Sequence, residues 1–318
     1  MMAWLATEFN KLDSSSRTSP ATSALATCQR DSSCAVCHFA LRNRKSVDLG
    51  SARLVWCDSC GSWTYTPRFD GREQLALHDT SEYFDHPYFR ARREDSNLNL
   101  ERCREIFAAI GTVLELASLE GERVLDIGCD TGSLLLAAVQ IYGVVPFGLD
   151  VSSRAVDVSR GRGLQVFHGT VDDAPQVFSC FKLVTAVDVL EHTTEPAVFL
   201  RQVYERIVPG GFLYLQTPNF DSIIYQLGRQ ICNLTKGRPR ASMERLFPAQ
   251  HAQYFSRAGL AILAERSGFQ VAHVEARVLP ARDIVASSPV RAGLAALQVI
   301  DRVRKREILL CTVLRKPV

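Results

Sequence analysis

Residues 124–133 read Val-Leu-Asp-Ile-Gly-Cys-Asp-Thr-Gly-Ser, an apolar run that passes through two glycines into a helical pattern. Glycine at such a turn lets the backbone approach a ligand closely, and the first N–H groups of the following helix stay free to donate. The next strand-like run ends at Asp150, 22 positions after Gly128, where a carboxylate can accept hydrogen bonds from ribose hydroxyls. The pattern predicts a nucleoside-binding turn, although one glycine turn alone is often only a tight connection.

Strand-like and helix-like patterns alternate on both sides of this turn. Such alternation predicts an α/β fold, in which a mostly parallel sheet carries helices on both faces and binds ligands beyond the carboxyl ends of its strands. The expected strands are 123–127, 144–149, 164–167, 183–189, 212–216, 269–278 and 307–314. The expected helices are 100–117, 133–142, 152–160, 196–208, 256–268 and 292–303.

Composition limits the class of protein. The 318 residues carry a net charge of +3, with 47% hydrophobic and 22% charged residues, as in an ordinary globular protein of about two domains. This balance gives no support to nucleic-acid binding. Residues 1–27 lack the apolar segment of a signal peptide, and no run of about 18 apolar residues predicts a spanning helix. We therefore expect a cytoplasmic protein.

The cysteine spacing predicts a metal site. Ten cysteines include two C-x-x-C pairs separated by 19 residues, Cys34 with Cys37 and Cys57 with Cys60. Four thiolates at this spacing can close a tetrahedral zinc site, which is structural because no coordination position stays open. Gly61 follows the second pair, as a tight metal-binding turn often requires. Redox cysteines or a degenerate ribbon are the alternatives, and Cys28 and His38 are spare ligands.

The glycine turn departs from a dinucleotide-binding fingerprint. Position 130 is Asp where G-x-G-x-x-G has glycine, and position 133 is Ser. Asp126 precedes the turn and would repel a pyrophosphate. A carboxylate there suits a ligand that brings a positive amino group and no phosphate, as S-adenosylmethionine does.

The same residues resemble motif I of the class I, Rossmann-like, S-adenosylmethionine-dependent methyltransferases, usually D-x-G-C-G-T-G. Later segments resemble further motifs of that family in the same order, at 148–152, 169–173, 187–192 and 208–211. Residues 251–269 resemble the small-molecule branch that includes the ubiquinone-pathway O-methyltransferases. The resemblance covers about 98–279 and implies a Rossmann-like, mostly parallel seven-stranded sheet, preceded here by a small zinc-ribbon module.

The resemblance also implies the cofactor-binding residues. Asp126 would hold the methionine amino group, and Asp150 the ribose. Asp172 would meet the adenine amino group, with Asp173 as the competing choice. The full predicted set is Asp126, Gly128, Cys129, Asp130, Gly132, Asp150, Val151, Asp172, Asp173 and Asp188.

Asp130 is the one departure within motif I, because it stands where the family usually has glycine. Aspartate tolerates left-handed backbone better than most residues, so we expect the turn to survive. Its charge either favours the sulfonium or amino group of the cofactor or weakens cofactor binding.

Two histidines are candidate catalytic residues. His192 follows the fourth strand at its carboxyl end, where it would act as a base or orient the acceptor. The alternative for His192 is capping of local backbone. His251 is the second candidate, and its alternative is a packing role.

The predicted organisation is a disordered leader (1–33), a zinc ribbon (34–66), an aromatic linker (67–97) and a methyltransferase domain (98–318) with a substrate-cap insertion (218–255). The linker's aromatics at 83–89 are expected to pack on a neighbouring surface. An apolar helical face within residues 220–240, followed by basic residues, either caps the active site or makes a peripheral membrane contact.

The favoured function is O-methylation of a small-molecule acceptor that is a sugar, lipid-linked or quinone-like. The sequence lacks the D/N-P-P-Y/F/W motif that resemblance associates with amine methylation and the Pro-Cys dipeptide of cytosine methylation. The alternatives are an RNA methyltransferase that grips nucleic acid with its ribbon, although nucleic acid is the less expected partner, and a non-catalytic S-adenosylmethionine-binding module.

Overall fold

The computed structural model describes residues 33–41, 45–49, 52–68, 70–76, 78–80, 84–85, 93, 96–235, 246–248, 250–279 and 288–318. The predicted leader, apart from residue 33, and most of the predicted aromatic run at 83–89 lie outside these residues. The chain divides into two units. The sheet unit comprises Gly71–Thr217, Leu263–Glu275 and Leu310–Val318, and the cysteine unit comprises Met1–Asp70, Pro218–Ile262 and Ala276–Leu309.

Eleven strands are seen in the described residues: β1 Ser46–Asp48, β2 Arg53–Trp56, β3 Trp63–Thr66, β4 Arg123–Ile127, β5 Val145–Asp150, β6 Gln165–His168, β7 Phe181–Val187, β8 Ile207–Pro218, β9 Gln253–Tyr254, β10 Gln270–Arg277 and β11 Leu309–Arg315. The helices of the same residues are α1 Gly71–Ala76, α2 Ser96–Ile110, α3 Ser133–Tyr142, α4 Ser153–Gly161, α5 Pro196–Arg206, α6 Ile223–Thr235, α7 Arg257–Arg266 and α8 Ser288–Arg304. Short 3-10 turns lie at Leu116–Leu119 and Leu190–His192.

Seven strands form the large sheet in the order β10-β11-β8-β7-β4-β5-β6. The pairs β4–β5, β4–β7, β5–β6 and β7–β8 are parallel. The chain builds outward from β4 through β5 to β6 and then returns to place β7 on the other side of β4. The strand order therefore reverses at β4, and ligands of such sheets bind beyond the carboxyl end of the strand at that point. The predicted Rossmann-like, mostly parallel sheet is confirmed.

Helices α2 and α3 pack against the large sheet. Phe107 and Ile110 of α2, together with Ala138 of α3, belong to one buried cluster with Val124 and Leu183 of the central strands. Removing a large apolar side chain from water contributes roughly 1.5–3 kcal/mol, so this apolar layer holds the central strands in place. It thereby fixes the loops at their carboxyl ends.

Several local predictions differ from the structure. Helix α2 ends at Ile110 rather than 117, since Gly111 and the turn after it close the helix with bonds back to Phe107 and Ile110. Strand β8 starts at Ile207, so the Pro-Gly-Gly expected to end the preceding helix lies within the strand, where Gly210 donates to the Lys316 carbonyl. The predicted linker contains helix α1.

The cysteine unit is built on a second sheet of order β1-β2-β3-β9, all antiparallel. Strand β9 comes from the predicted insertion and pairs Gln253 with Thr64 of β3. Helix α6, from the same insertion, buries Ile224 and Tyr225 in the apolar cluster of this sheet. The insertion therefore completes the small sheet and its core. Among the described residues, no helix has the length and apolar content to cross a membrane.

Candidate active site

The turn after β4 adopts the conformation that its glycines permit. Gly128, Asp130 and Gly132 have φ of 71°, 49° and 76°, all in the left-handed region. A Cβ on Gly132 would lie 2.1 Å from Leu164 Cδ1, so no other residue fits there without displacement. The N–H groups of Gly128 and Cys129 both donate to the Leu149 carbonyl, at 2.8 and 3.1 Å. The turn is thus tied to β5, and α3 begins at Ser133 without a side-chain cap on its N-terminus.

Asp126, at the end of β4, is a buried carboxylate close to the turn. It is 4% exposed and accepts a hydrogen bond from Thr185 Oγ1 at 2.6 Å. Burial raises the pKa of Asp126 to about 7, against the lowering effect of the Thr185 hydroxyl, and the charge of Asp150 raises it further. A positive group bound beside Asp126 would restore its ionised form.

Asp150, at the end of β5, is held by backbone amides. Its Oδ1 accepts from the Ser152 N–H at 2.8 Å and its Oδ2 from the Asp130 N–H at 2.7 Å. Burial raises the pKa of Asp150 to about 6, and the two amides act in the opposite direction. Each carboxylate oxygen has a second lone pair, so both ribose hydroxyls can still donate to it. Asp150 is therefore oriented before any ligand arrives.

Asp130 is paired with an arginine from the linker. Arg93 Nε donates to both carboxylate oxygens of Asp130, at 2.9 and 2.8 Å, and Arg93 Nη2 lies 2.8 Å from Oδ1. The Arg93 guanidinium thus compensates the negative charge of Asp130. Sequence reasoning missed Arg93, because nothing in its local sequence distinguishes it from the other arginines of the linker.

The loop after β6 contains the two candidates for the adenine. Asp173 Oδ2 accepts from the N–H and the hydroxyl of Thr170, at 3.1 and 2.6 Å, and these bonds lower the pKa of Asp173. Asp173 thus shapes its own loop, and both Asp172 and Asp173 are exposed. The Val151 carbonyl is 3.1 Å from Nε2 of His168, the last residue of β6.

The segment after β7 carries the predicted catalytic histidine. Asp188 has a φ of 57° and accepts from Gln216 Nε2 at 3.3 Å. Glu191 is fully buried, and burial together with the charge of Asp188 raises its pKa well above the ordinary value. His192 is half-buried, and its ring meets His78 edge-on with centroids 4.7 Å apart. Burial lowers the pKa of His78 to about 3, so this neighbour stays neutral at physiological pH.

His251, the second candidate, belongs to the cysteine unit. Its side chain is 1% exposed, and its ring centroid lies 5.5 Å from that of Tyr254. The catalytic role and the packing role of His251 both stay predictions. His78, which was not predicted from the sequence, lies edge-on against His192.

The four predicted metal ligands converge in the cysteine unit. The Cys34 and Cys60 sulfurs are 3.7 Å apart, those of Cys37 and Cys57 are 3.5 Å apart, and all four are buried within 4.8 Å of one another. Zinc–sulfur bonds of ~2.3 Å in a tetrahedron place sulfurs ~3.8 Å apart, so these residues fit zinc.

Each cysteine pair ends in the same kind of turn. The residue after the first pair, His38, has a φ of 61°, and the residue after the second, Gly61, has a φ of 73°. The N–H of His38 donates to the carbonyl of Cys34, and the N–H of Gly61 donates to the carbonyl of Cys57, both at 2.9 Å. His38 is exposed, and Cys28 lies outside the described residues.

Comparison with known protein families gives one match that spans the site. The methyltransferase domain family matches residues 97–274, more than half of the chain. These residues include the glycine turn, Asp150, the loop after β6 and His192.

Two curated relatives carry the same name. The ubiquinone biosynthesis O-methyltransferase of Aromatoleum aromaticum is 31% identical over 157 residues, which are 45% of this chain and 66% of that protein. The ubiquinone biosynthesis O-methyltransferase of Pseudomonas putida (strain GB-1) is 31% identical over 120 residues, 36% of this chain and 51% of that protein. The chain therefore spans less than two thirds of the length of either relative.

Among solved structures, the cyclopropane synthase MmaA2 of Mycobacterium tuberculosis has a similar fold. The TM-score is 0.51 at 17% identity, and the match covers 79% of this chain and 100% of that one. The likeness concerns the fold alone.

Proposed function

The chain belongs to the methyltransferase domain family as a class I S-adenosylmethionine-dependent enzyme, and from this premise we propose that it methylates a hydroxyl oxygen of a small-molecule acceptor. One observation carries the proposal. Asp126 and Asp150 flank the glycine turn at the point where the strand order reverses, and His192 follows β7, the neighbour of β4.

The residues at the turn fit S-adenosylmethionine. Asp126 offers a buried negative charge to the methionine amino group, and the uncapped start of α3 offers N–H groups to the methionine carboxylate. Asp150 offers its remaining lone pairs to the ribose. Asp172, exposed in the loop after β6, is the better acceptor for the adenine amino group, because Asp173 is already bonded to Thr170.

S-adenosylmethionine supplies a methyl group that its sulfonium activates for displacement. The chain's own residues align the partners and handle the proton. His192 would accept the proton of the acceptor hydroxyl and so leave its oxygen nucleophilic towards the methyl group that bound S-adenosylmethionine would supply. The ring of His78, neutral at physiological pH, lies against His192 without opposing the charge that His192 gains.

We propose a sugar, lipid-linked or quinone-like acceptor with a free hydroxyl. The ubiquinone biosynthesis relatives support the quinone-like class among these. The experiment is turnover of methyl-labelled S-adenosylmethionine against fractionated metabolites from the source cells, with the labelled atom located by mass spectrometry. Label on oxygen supports the proposal, and label on nitrogen, carbon or RNA contradicts it.

His192→Gln is the matched catalytic variant. We expect it to lower kcat by roughly 100-fold, a typical share for a positioned base, while the affinity for S-adenosylmethionine stays within about twofold. If the variant keeps the wild-type kcat across pH 6–9, His192 takes no part in catalysis. His273→Gln, on the edge strand β10, is the control and should retain activity.

We further propose that four-cysteine coordination of zinc is structural, which the sulfur–sulfur distances support.

A peripheral contact with anionic membranes through residues 220–240 is likewise a proposal. It is supported by the exposure of Ile231 (45%) and Leu234 (85%) on α6, followed in sequence by basic residues. Flotation with phosphatidylglycerol vesicles, which Leu234→Glu should abolish, tests it.

A further inference from the structure

We propose that Arg93 is a positioning residue for the cofactor: its ion pair with Asp130 neutralises the extra carboxylate of the glycine turn and fixes the residue whose backbone orients Asp150. This inference rests on the cofactor site described above. It also answers why an acid is tolerated at the one motif I position where the family usually has glycine.

The side-chain contacts of Arg93 are extensive. Arg93 is 11% exposed and meets Asp130 through Nε and Nη2, with both carboxylate oxygens engaged. Its Nη1 donates to the Phe84 carbonyl, and its guanidinium lies 4.0 Å from the centre of the Phe84 ring. A half-buried, bidentate pair of this kind is held in one geometry, unlike an exposed ion pair between two mobile side chains.

The backbone of Asp130 is bonded on both sides. Its N–H donates to Asp150 Oδ2 at 2.7 Å, and its carbonyl accepts from the Ser159 hydroxyl at 2.7 Å. The φ of 49° that permits these bonds is one that glycine and aspartate adopt more readily than most residues. Any movement of Asp130 is therefore transmitted to the carboxylate that binds the ribose.

The charges at the turn explain why an arginine is needed. Asp130 adds a carboxylate to a site that already holds Asp126 and Asp150, and its charge raises the pKa of both. Arg93 opposes this effect and lowers the pKa of Asp150. Without the guanidinium, the charge of Asp130 would keep Asp150 protonated to a higher pH, and a protonated carboxyl is a weaker acceptor for the ribose hydroxyls.

A second group of contacts places the linker against the start of α4, the helix that follows Asp150. Asp79 accepts from the N–H and hydroxyl of Ser153, at 2.9 and 3.0 Å, and Asp85 pairs with Arg154 at 2.6 Å. The linker thus bonds to both segments that flank the ribose site. The Arg154 guanidinium also lies 4.5 Å from the centre of the Phe84 ring, on which Arg93 packs, so the pair between Asp85 and Arg154 belongs to the same group of linker contacts.

The test measures the affinity of the full-length protein for S-adenosylmethionine and for S-adenosylhomocysteine by calorimetry. We expect Arg93→Gln to lower the affinity for both ligands roughly tenfold, as expected for the loss of one charged hydrogen-bonding group. Asp130→Gly keeps the left-handed turn and removes the repulsion, so we expect affinity within about threefold of wild type. The double variant should recover most of the affinity lost in Arg93→Gln.

Each other outcome has a defined meaning. Unchanged affinity in Arg93→Gln, or a double variant as weak as Arg93→Gln, overturns the proposal. A loss confined to S-adenosylmethionine also overturns it, because Asp130 would then act on the sulfonium rather than through the ribose. The exposed Asp157→Asn on α4 is the control and should leave both affinities within about twofold. If the wild type binds neither ligand, the proposed function fails instead, independently of Arg93.

Discussion

At the scale of the residue, the burial of Asp126 lowers the stability of the ligand-free protein and places a carboxylate where the cofactor would bind. Its pKa of about 7 in the folded protein lies above the ordinary value of 3.8. The folded state therefore keeps a proton that the unfolded chain loses between pH 4 and pH 7, and this group's contribution to stability falls as pH rises through that window. Above pH 7 the penalty is complete and amounts to up to about 4 kcal/mol.

Asp126→Asn removes this penalty and keeps an acceptor for the Thr185 hydroxyl. We expect the ligand-free variant to melt at a higher temperature than the wild type at pH 8, with the difference shrinking towards pH 5. Thermal unfolding followed by circular dichroism across this range checks it. The exposed Asp157→Asn is the control and should show no such trend. A wild-type advantage that grows with pH would contradict the assigned environment.

At the scale of the element, the cysteine turns and the small sheet depend on each other. Cys57 and Cys60 lie in the loop between β2 and β3, and the Ser256 hydroxyl donates to the Cys60 carbonyl at 2.7 Å while accepting from the Gly259 N–H at 2.9 Å. Ser256 thereby caps the start of α7 and holds the second cysteine turn. If the four cysteines bind zinc as proposed, loss of the metal is expected to loosen these bonds together.

The corresponding prediction concerns metal content. We expect one zinc per chain by elemental analysis, and Cys57→Ser should lose it and shift the tryptophan fluorescence, because Trp56 and Trp63 lie in β2 and β3. The exposed Cys180→Ser should retain full zinc. A metal-free protein with a disulfide among these cysteines would instead support the redox alternative.

At the scale of the whole molecule, local sequence signals account for much of the fold and for part of the site. The glycine turn and Asp150 at the end of β5 could be predicted, because each is marked by the residues next to it in sequence: an apolar run before it and a helical pattern after it. The pairing of β9 with β3, 189 residues apart at Thr64 and Gln253, could not, since no local pattern encodes a distant partner. Arg93 and His78 were missed for the same reason: each acquires its role from a contact made across the fold.

Binding of S-adenosylmethionine to the purified chain tests the central claim most directly. Calorimetry should give one site per chain, and Asp150→Ala should weaken it by roughly 100-fold because two charge-assisted hydrogen bonds to the ribose are lost. The exposed Asp157→Ala should bind as the wild type does. No binding by the wild type at millimolar ligand, or equal affinity in Asp150→Ala, would contradict the account.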